Sequence, residues 1–214
     1  MYFDIKKIKA RETYSLLSGL IVPRPIALIT SQDVEGRLNA APFSAYNYLG
    51  TDPPIIGIGV ANRPGKEAVG KDTARNIRST REFVVNVVTE DIAEAMNICA
   101  VDFPPGVNEL TMAGLTTESS SIVSVPRIKE AHAALECHEF STIEIGNSRI
   151  ILGEVVALYV EDRFMDPRGH YILTEELFVI GRMNGLGNYV RTRDAFMNIP
   201  RLSYEEWLKS NQGK

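Results

Sequence analysis

The feature that most constrains the fold is a series of short apolar segments, rich in β-branched residues, that alternate with segments favouring turns. The clearest are Ile26-Ala-Leu-Ile-Thr30, Ile55-Ile-Gly-Ile-Gly-Val60 and Phe83-Val-Val-Asn-Val-Val88. Runs of this length and composition are typical of β-strands. Further apolar stretches follow at residues 133–145, 150–160 and 177–180. Many strands at short spacing predict an antiparallel barrel or sandwich.

Turn-forming residues connect several of these strands. Asp33-Val-Glu-Gly36 follows the first strand, and Gly146-Asn147 separates two long apolar stretches. Both predict tight hairpins between antiparallel strands. Gly57 and Gly59 remove side chains from one face of their strand, which is common where another backbone or a ligand approaches closely.

Two short helices are expected between the strands. Ile92, Ala95, Met96 and Cys99 lie at helical spacing after Thr89, so they predict a helix that buries one apolar face. A second helix is predicted to run through Arg78, with Asp72 and Thr73 as its capping residues.

Residues 101–117 lack a clear period, and Pro104-Pro105-Gly106 lies within them. A loop of this length in a compact domain is usually an active-site cover or a disordered segment. We therefore expect this loop to take part in the function.

The chain has 214 residues, 44% of them hydrophobic, which predicts one domain over 1–214 with a short C-terminal extension. Its net charge is −4 and its basic residues are dispersed, so we expect no nucleic-acid partner. Residues 1–7 lack a continuous apolar stretch, and Gly19, Pro23 and Pro25 interrupt residues 16–30. We therefore expect neither a signal peptide nor a membrane span, and a cytoplasmic location.

The cysteines and histidines form no recognisable reactive pattern. Cys99 and Cys137 match no disulfide framework or CxxC motif, so buried thiols are expected, with a catalytic cysteine as the less favoured alternative. The three histidines lack the spacing of metal ligands, and we expect no metal site.

Two polar segments form the candidate site. Asn39-Ala-Ala-Pro-Phe-Ser44 follows an apolar strand, whereas Lys71-Asp-Thr73, with Arg63 upstream, precedes a predicted helix. Backbone amides at a helix start, hydroxyls and cations together favour phosphate. The pair therefore suggests a planar, hydrogen-bonding, phosphorylated ligand. Taken singly, each segment has a structural alternative, which is an ordinary turn for the first and a capped surface helix for the second.

The order of the motifs resembles the flavin reductase-like family, which includes flavoredoxin. The resemblance covers residues 14–187 and is carried by the following segments: Pro23-Arg-Pro-Ile-Ala-Leu-Ile-Thr-Ser31, Gly36-Arg-Leu-Asn-Ala-Ala-Pro-Phe-Ser44, Asp52-Pro-Pro54, Lys71-Asp-Thr-Ala-Arg-Asn-Ile77, Glu82-Phe-Val-Val-Asn86, Pro104-Pro-Gly106, Ala113-Gly-Leu115 and Leu152-Gly-Glu154.

This resemblance implies a mainly β protein with short helices, an FMN-binding split β-barrel that works as a homodimer with flavin at its interface. Ribityl or phosphate oxygens would contact Thr30, Ser31 and Ser44. The isoalloxazine ring would face Asn39 and the backbone of Ala40, Ala41 and Phe43. The phosphate end would be held by Arg63, Lys71, Asp72 and Thr73. Arg24 is assigned either to this region or to the dimer contact, and Arg182 and Tyr189 are further candidates for the pocket border.

The resemblance leaves the reaction open. Family members that take hydride from NADH commonly carry Gly-Asp-His where this chain has Gly146-Asn-Ser148. This difference favours the flavoredoxin-like branch, an FMN-dependent oxidoreductase or electron carrier with tightly held FMN. The alternatives are a two-component reductase that uses NADH or NADPH and releases reduced flavin to a monooxygenase, and a non-catalytic flavin-binding protein. No catalytic side chain is assigned, because bound flavin supplies the redox chemistry.

Overall fold

The protein is mainly β and is built around one antiparallel sheet of seven strands. Its computed structural model describes residues 1–61, 71–104, 106–185 and 187–193, and residues 196, 197, 199, 201, 203, 204 and 207. Two further pairs of short strands lie outside this sheet.

The strands are β1 (Ala27–Gln32), β2 (Leu38–Phe43), β3 (Tyr46–Thr51), β4 (Pro54–Ala61), β5 (Glu82–Val87), β6 (Thr117–Glu118), β7 (Arg127–Ile128), β8 (Ala133–Ile145), β9 (Ser148–Val160), β10 (Ile180–Arg182) and β11 (Tyr189–Arg191). The order of strands in the large sheet is β2-β1-β5-β8-β9-β4-β3, and the two further pairs are β6 with β7 and β10 with β11. The helices are α1 (Ala10–Leu20), α2 (Asp72–Thr80), α3 (Ala93–Ile98), α4 (Glu109–Ala113) and α5 (Thr174–Leu177). Among the described residues, no helix has both the length and the apolar character needed to cross a membrane.

The β2–β3 connection curls the sheet into a barrel. These two strands are the opposite edges of the sheet, yet only Ser44 and Ala45 join them. The connection is fixed by a hydrogen bond of 2.7 Å from the Gly59 amide to the Ala45 carbonyl. A two-residue connection can join opposite edges only where the sheet bends until they meet, which is how barrels form.

Both predicted hairpins are confirmed. Asp33 accepts hydrogen bonds from the Glu35 and Arg37 amides, and Gly36 has the positive φ of 80° that this turn requires. Gly146 has a φ of 55° between β8 and β9, which pair along most of their length. The local turn chemistry therefore sets these connections.

The sheet separates two apolar clusters. Ile29, Phe43 and Phe83 lie in one, which packs against Ile77 of α2. Leu28 lies in the other with residues of α3 and α4, including Met96 and Leu110. Because successive side chains of a strand point to opposite faces, β1 contributes to both clusters and positions α2 on one face.

The predicted helix after Thr89 is confirmed as α3, preceded by a 3₁₀ turn at Glu90–Ile92. Ile92, Met96 and Cys99 are buried, as the spacing predicts. The apolar stripe is the face of α3 that packs against the sheet.

Residues 101–117 differ from the predicted loop. They contain α4, which Asn108 caps by accepting hydrogen bonds from the Leu110 and Thr111 amides. Gly114 ends the helix in the left-handed conformation with a φ of 68°. Burial of Leu110 and Leu115 anchors the segment to the core, so the expectation of one long loop here is wrong.

The stretch 177–180 also differs from the predicted strand. Leu177 ends α5, and Phe178 takes a left-handed conformation before β10 begins at Ile180. A run of four apolar residues is too short to show a helical or strand period. Its hydrophobicity therefore does not distinguish the end of a helix from a strand.

Candidate functional site

A hydrogen bond joins the two predicted halves of the site. The Asn39 side-chain amide donates to the Thr73 hydroxyl at 3.0 Å. Asn39 lies on the edge strand β2, and Thr73, which is 1% exposed, lies in the first turn of α2. The polar segment of the strand and the start of the helix therefore form one surface.

Lys71 places a positive charge on this surface. It is the N-cap of α2, and its ammonium nitrogen lies 5.5 Å from the centre of the Phe43 ring. The first amides of a helix have no intrahelical partner and carry a partial positive charge. Lys71 and the start of α2 together favour an anion beside Phe43.

Asp72 and Thr73 do not cap α2 as predicted, because the helix starts one residue earlier than that assignment requires. Lys71 has extended backbone angles, while Asp72 and Thr73 are helical. The Asp72 carboxylate instead forms an ion pair with Arg75, one turn further along the helix. Its charge is therefore partly neutralised within α2.

Ser31 attaches α2 to the sheet. Its hydroxyl accepts a hydrogen bond of 3.3 Å from the side chain of Asn76, and both residues are buried. Sequence reasoning did not single out Asn76, since a mid-helix asparagine carries no signal of the strand it will face.

Thr30 points to the other face of β1. Its hydroxyl donates to the Pro126 carbonyl at 2.8 Å and accepts from the Asn86 side chain at 3.3 Å. Thr30 is fully buried among these partners. The geometry gives Thr30 a structural role, and its contact with a ligand stays a prediction.

Ala40 and Ala41 lie in β2 between Asn39 and Phe43. The Ala40 amide points away from β1 and donates to the Glu109 carboxylate of α4 at 3.3 Å. Glu109 was missed because its segment was interpreted as a loop. Asn108 followed by Glu109 is the local signal that could have revealed a helix start there.

Ser44 follows β2 and contacts Arg24. The Arg24 Nε donates to the Ser44 hydroxyl at 3.5 Å, and Arg24 also donates to the Ser18 carbonyl at 2.7 Å. Its backbone exchanges hydrogen bonds with Arg182, whose guanidinium lies 4.6 Å from the centre of the Tyr189 ring. Arg24 thus brings the segment of Arg182 and Tyr189 close to Ser44. Arg63 lies outside the described residues.

The two thiols are buried in the two apolar clusters on either side of the sheet. Burial, with Glu109 nearby, raises the pKa of Cys99 to about 11, and burial also raises the pKa of Cys137. Neither thiol is poised to become a nucleophile near neutral pH. The histidine, cysteine and acidic side chains that the structure describes form no group of three suited to a metal ion.

A cavity of about 500 Å³ lies further along α2, between that helix and the β8–β9 hairpin. Its walls include the alanine after Thr73, three arginines and two glutamates: Ala74, Arg78, Arg81, Arg149, Glu139 and Glu144. None of the described residues predicted for the site lines it. The candidate site and this cavity are therefore neighbours on one helix.

Comparison with known proteins identifies the family. The family model described as the flavin reductase like domain matches residues 18–173. Nitrilotriacetate monooxygenase component B from Bacillus cereus superposes with a TM-score of 0.86 and 33% identity, covering 92% of this chain and 98% of that chain.

Two other solved structures extend the comparison. The 2-nitrobenzoate 2-nitroreductase of Pseudomonas fluorescens has a TM-score of 0.83 and 36% identity, covering 94% of this chain and 96% of that one. Flavoredoxin of Desulfovibrio vulgaris superposes with a TM-score of 0.71 and 15% identity, covering the full length of both chains. This superposition shows a shared fold. The predicted split barrel is confirmed, and the chain belongs to the flavin reductase-like family.

Proposed function

We propose that the protein is an FMN-dependent oxidoreductase that binds the flavin phosphate at the start of α2 and the flavin ring along β2. The observation that carries this proposal is the 3.0 Å hydrogen bond between Asn39 and Thr73. It brings the two segments that the sequence assigned to one ligand onto one surface.

The donors on this surface suit such a ligand. Lys71 supplies a full positive charge and the first amides of α2 supply unpaired N–H groups, which is the usual chemistry of a phosphate site. Asp72 is the adverse charge, but its pairing with Arg75 limits its repulsion of a phosphate. The residues present therefore fit a flavin phosphate.

The ring end of the proposed site lies along β2. As an edge strand, β2 has outward-facing backbone groups that no neighbouring strand takes up. The Ala40 amide is not one of those available to a ligand, because it donates to the Glu109 carboxylate. The Asn39 side chain and the Ser44 hydroxyl add polar groups at either end of the strand. These groups would fix the orientation of a planar ring that carries its own donors and acceptors.

When bound, the flavin supplies the hydride or electron chemistry itself. The chain's own residues then bind the phosphate, orient the ring and exclude water from one of its faces. We assign no acid, base or nucleophile to a side chain, which agrees with the raised pKa of the buried Cys99.

A second candidate is a reductase that supplies reduced flavin to a monooxygenase. It is supported by 33% identity to a protein described as component B of a monooxygenase. The Asn147-Ser148 sequence in the β8–β9 turn favours the first candidate, because NADH-dependent members commonly carry Asp-His there. A nitroreductase activity within the first candidate is supported by 36% identity to the Pseudomonas fluorescens enzyme.

One anaerobic experiment separates the candidates. We expect the purified protein to be yellow, to retain nearly one FMN per chain through dialysis, and to bleach on titration with dithionite. A colourless protein that rapidly reduces added free flavin with NADH or NADPH would establish the second candidate instead. A protein that binds no flavin in either test would refute the proposal.

We also propose a homodimer. Tyr48 and Leu49 on the edge strand β3 are 71% and 60% exposed, and Leu158 on β9 is 70% exposed. Large apolar side chains on sheet surfaces favour contact with another chain. The mass of one chain is 23.7 kDa. Light scattering after size-exclusion chromatography should give twice this mass, and a measured mass equal to that of one chain would contradict the proposal.

A further inference from the structure

Arg24 and Arg182 lie directly opposite one another on two neighbouring segments of the chain. The Arg24 amide donates to the Arg182 carbonyl at 2.9 Å, and the Arg182 amide donates to the Arg24 carbonyl at 2.8 Å. Two residues that exchange both hydrogen bonds in an antiparallel pair have Cα atoms about 5.5 Å apart and side chains on the same face. The two arginine side chains therefore leave the backbone on one side of this bridge.

Tyr189 extends this row and orients Arg182. It lies opposite Arg182 in the β10–β11 pair, and the guanidinium carbon of Arg182 lies 4.6 Å from the centre of the Tyr189 ring. A cation over an aromatic ring is attracted to it, but the N–H groups at the rim of the guanidinium still need acceptors. Tyr189 thus positions Arg182 without neutralising its charge.

The guanidinium of Arg24 is held in one orientation by three contacts. Its Nη1 donates to the carbonyls of Ser18 and Ile21, at the end of α1, at 2.7 and 2.9 Å. Its Nε lies 3.5 Å from the Ser44 hydroxyl, which is the outer limit of a hydrogen bond. A guanidinium has five N–H donors, so two on Nη2 are left beside Ser44. The edge formed by Nε and Nη2 has the fork geometry that matches a carboxylate.

No acidic side chain balances this pair of positive charges. In the part of the chain that the structure describes, neither Arg24 nor Arg182 forms an ion pair, whereas Arg37 and Arg168 each pair with a neighbouring aspartate. The end of α1 supplies only a partial negative charge to Arg24. Like charges directly opposite one another are destabilising. A bound anion would relieve this repulsion.

We propose that Arg24, Arg182 and the Ser44 hydroxyl bind the carboxylate group of an aromatic acid. This inference rests on the proposed function, because Ser44 follows β2, along which the flavin ring is placed. With its carboxylate at the arginines, the aromatic part would stack on the flavin ring. The inference thereby names an anionic aromatic compound as the electron acceptor of this site. The flavin phosphate is also an oxyanion, and the experiment separates the two sources.

The test compares benzoate with benzamide, which has the same ring and no charge, by isothermal titration calorimetry of the full-length protein saturated with FMN. We expect benzoate to bind about tenfold more tightly. Arg182→Gln should weaken benzoate binding by about tenfold, because a charge-assisted contact is lost, and should leave benzamide binding unchanged. Arg182→Lys should restore part of the affinity. Arg168→Gln is the matched control, since Arg168 is exposed and pairs with Asp166.

Two further variants test the other members of the site. Ser44→Ala keeps both arginines and should weaken benzoate binding by about fivefold, as expected for one neutral hydrogen bond. Arg24→Lys keeps the charge but loses the fork, so it should also weaken benzoate binding. Because Arg24 holds the end of α1 as well, the melting temperature of this variant is measured beside its affinity, and the Arg182 variants decide the test.

Equal affinity of the wild type for benzoate and benzamide, or unchanged benzoate binding in Arg182→Gln, would refute the carboxylate site. The affinities of every variant for FMN and for riboflavin, which lacks the phosphate, are measured separately. A loss in Arg182→Gln that affects FMN and spares riboflavin would assign the arginines to the flavin phosphate and overturn the inference. Failure of the wild type to bind either flavin would refute the proposed function, whereas benzoate titration of the flavin-free protein still tests the arginine pair.

Discussion

Asn39 and Thr73 are 34 residues apart in the chain, yet their side chains form a 3.0 Å hydrogen bond that ties the edge strand β2 to the first turn of α2. Thr73 is 1% exposed, so water does not replace this partner readily. The bond fixes the anion-attracting end of the helix relative to the strand, and the proposed flavin site depends on that relationship.

A double-mutant cycle measures this bond. We expect Asn39→Ala and Thr73→Ala each to lower the free energy of unfolding, with a coupling energy of about 1 kcal/mol between them. Urea denaturation of the wild type, both single variants and the double variant gives this energy. Strictly additive effects would show that the two side chains do not stabilise one another.

Lys71→Ala should weaken FMN binding by about tenfold, because it removes a charge-assisted contact with the phosphate. Riboflavin, which lacks the phosphate, should bind with unchanged affinity, and Lys71→Arg should retain most of the FMN affinity. Fluorescence titration with both flavins measures the effect. Equal losses for FMN and riboflavin would place Lys71 away from the phosphate. Arg63→Ala is also expected to weaken FMN binding.

Gly153→Ala should destabilise the barrel by about 1–3 kcal/mol, because overpacking a filled core forces neighbours to move. A Cβ at Gly153 would overlap the ring of the fully buried Phe83. Gly19→Ala is the matched control, since a Cβ there has no neighbour within 4 Å and lies in α1, where alanine is favoured by about 0.5–1 kcal/mol. Thermal denaturation should therefore show a lower melting temperature for Gly153→Ala and a higher one for Gly19→Ala. An unchanged melting temperature in Gly153→Ala would contradict the close packing of Gly153 against Phe83.

Glu136 should make stability depend on pH in the acid range. Burial by itself raises the pKa of Glu136, but hydrogen bonds from Ser121, Ile122 and Val123 outweigh it and leave the pKa below its usual value. A lowered carboxyl pKa stabilises the fold above the unfolded value of about 4.3, and this contribution is lost as pH falls through the folded pKa.

Glu136→Gln should cost about 2 kcal/mol at neutral pH, because the donors of residues 121–123 lose a charged acceptor. The variant should also lose less stability than the wild type on acidification. Chemical denaturation over a series of pH values measures both effects, with the exposed Glu175→Gln as control. Parallel pH profiles for wild type and Glu136→Gln would refute this role.

Both cysteines should resist alkylation in the folded protein. Burial raises the pKa of Cys99 to about 11 and raises that of Cys137, so little thiolate is present near neutral pH. Mass spectrometry after iodoacetamide treatment should find both thiols unmodified until denaturant is added. Rapid alkylation of either cysteine in the folded protein would support a catalytic role for that cysteine.

Local chemistry explains which parts of the fold could be predicted. Asp33 and Gly36 form a turn with hydrogen bonds inside the turn itself, and Gly146 provides a positive φ between β8 and β9. Such turns require little from the rest of the chain, so their residues identify them. The helix at Ile92 to Cys99 was recognised for a similar reason, because its stripe extends over two turns.

The short helix α4 shows where local signals fail. Its five residues are too few to show a period, and burial of Leu110 against distant parts of the chain stabilises it. Glu109 therefore reaches the Ala40 amide through tertiary packing that its sequence neighbourhood does not indicate.

The sequence by itself determined the hairpins, most of the strands, and the residue types in both halves of the candidate site, because these depend on neighbours along the chain. Tertiary structure alone decided that Asn39 meets Thr73, that Thr30 faces away from them, and that a cavity lined by arginines and glutamates lies further along α2. The first depends on the packing of α2 against β1 and β2, and the second on the alternation of side chains along β1. Closure of the barrel is a property of all seven strands, so no single segment encodes it.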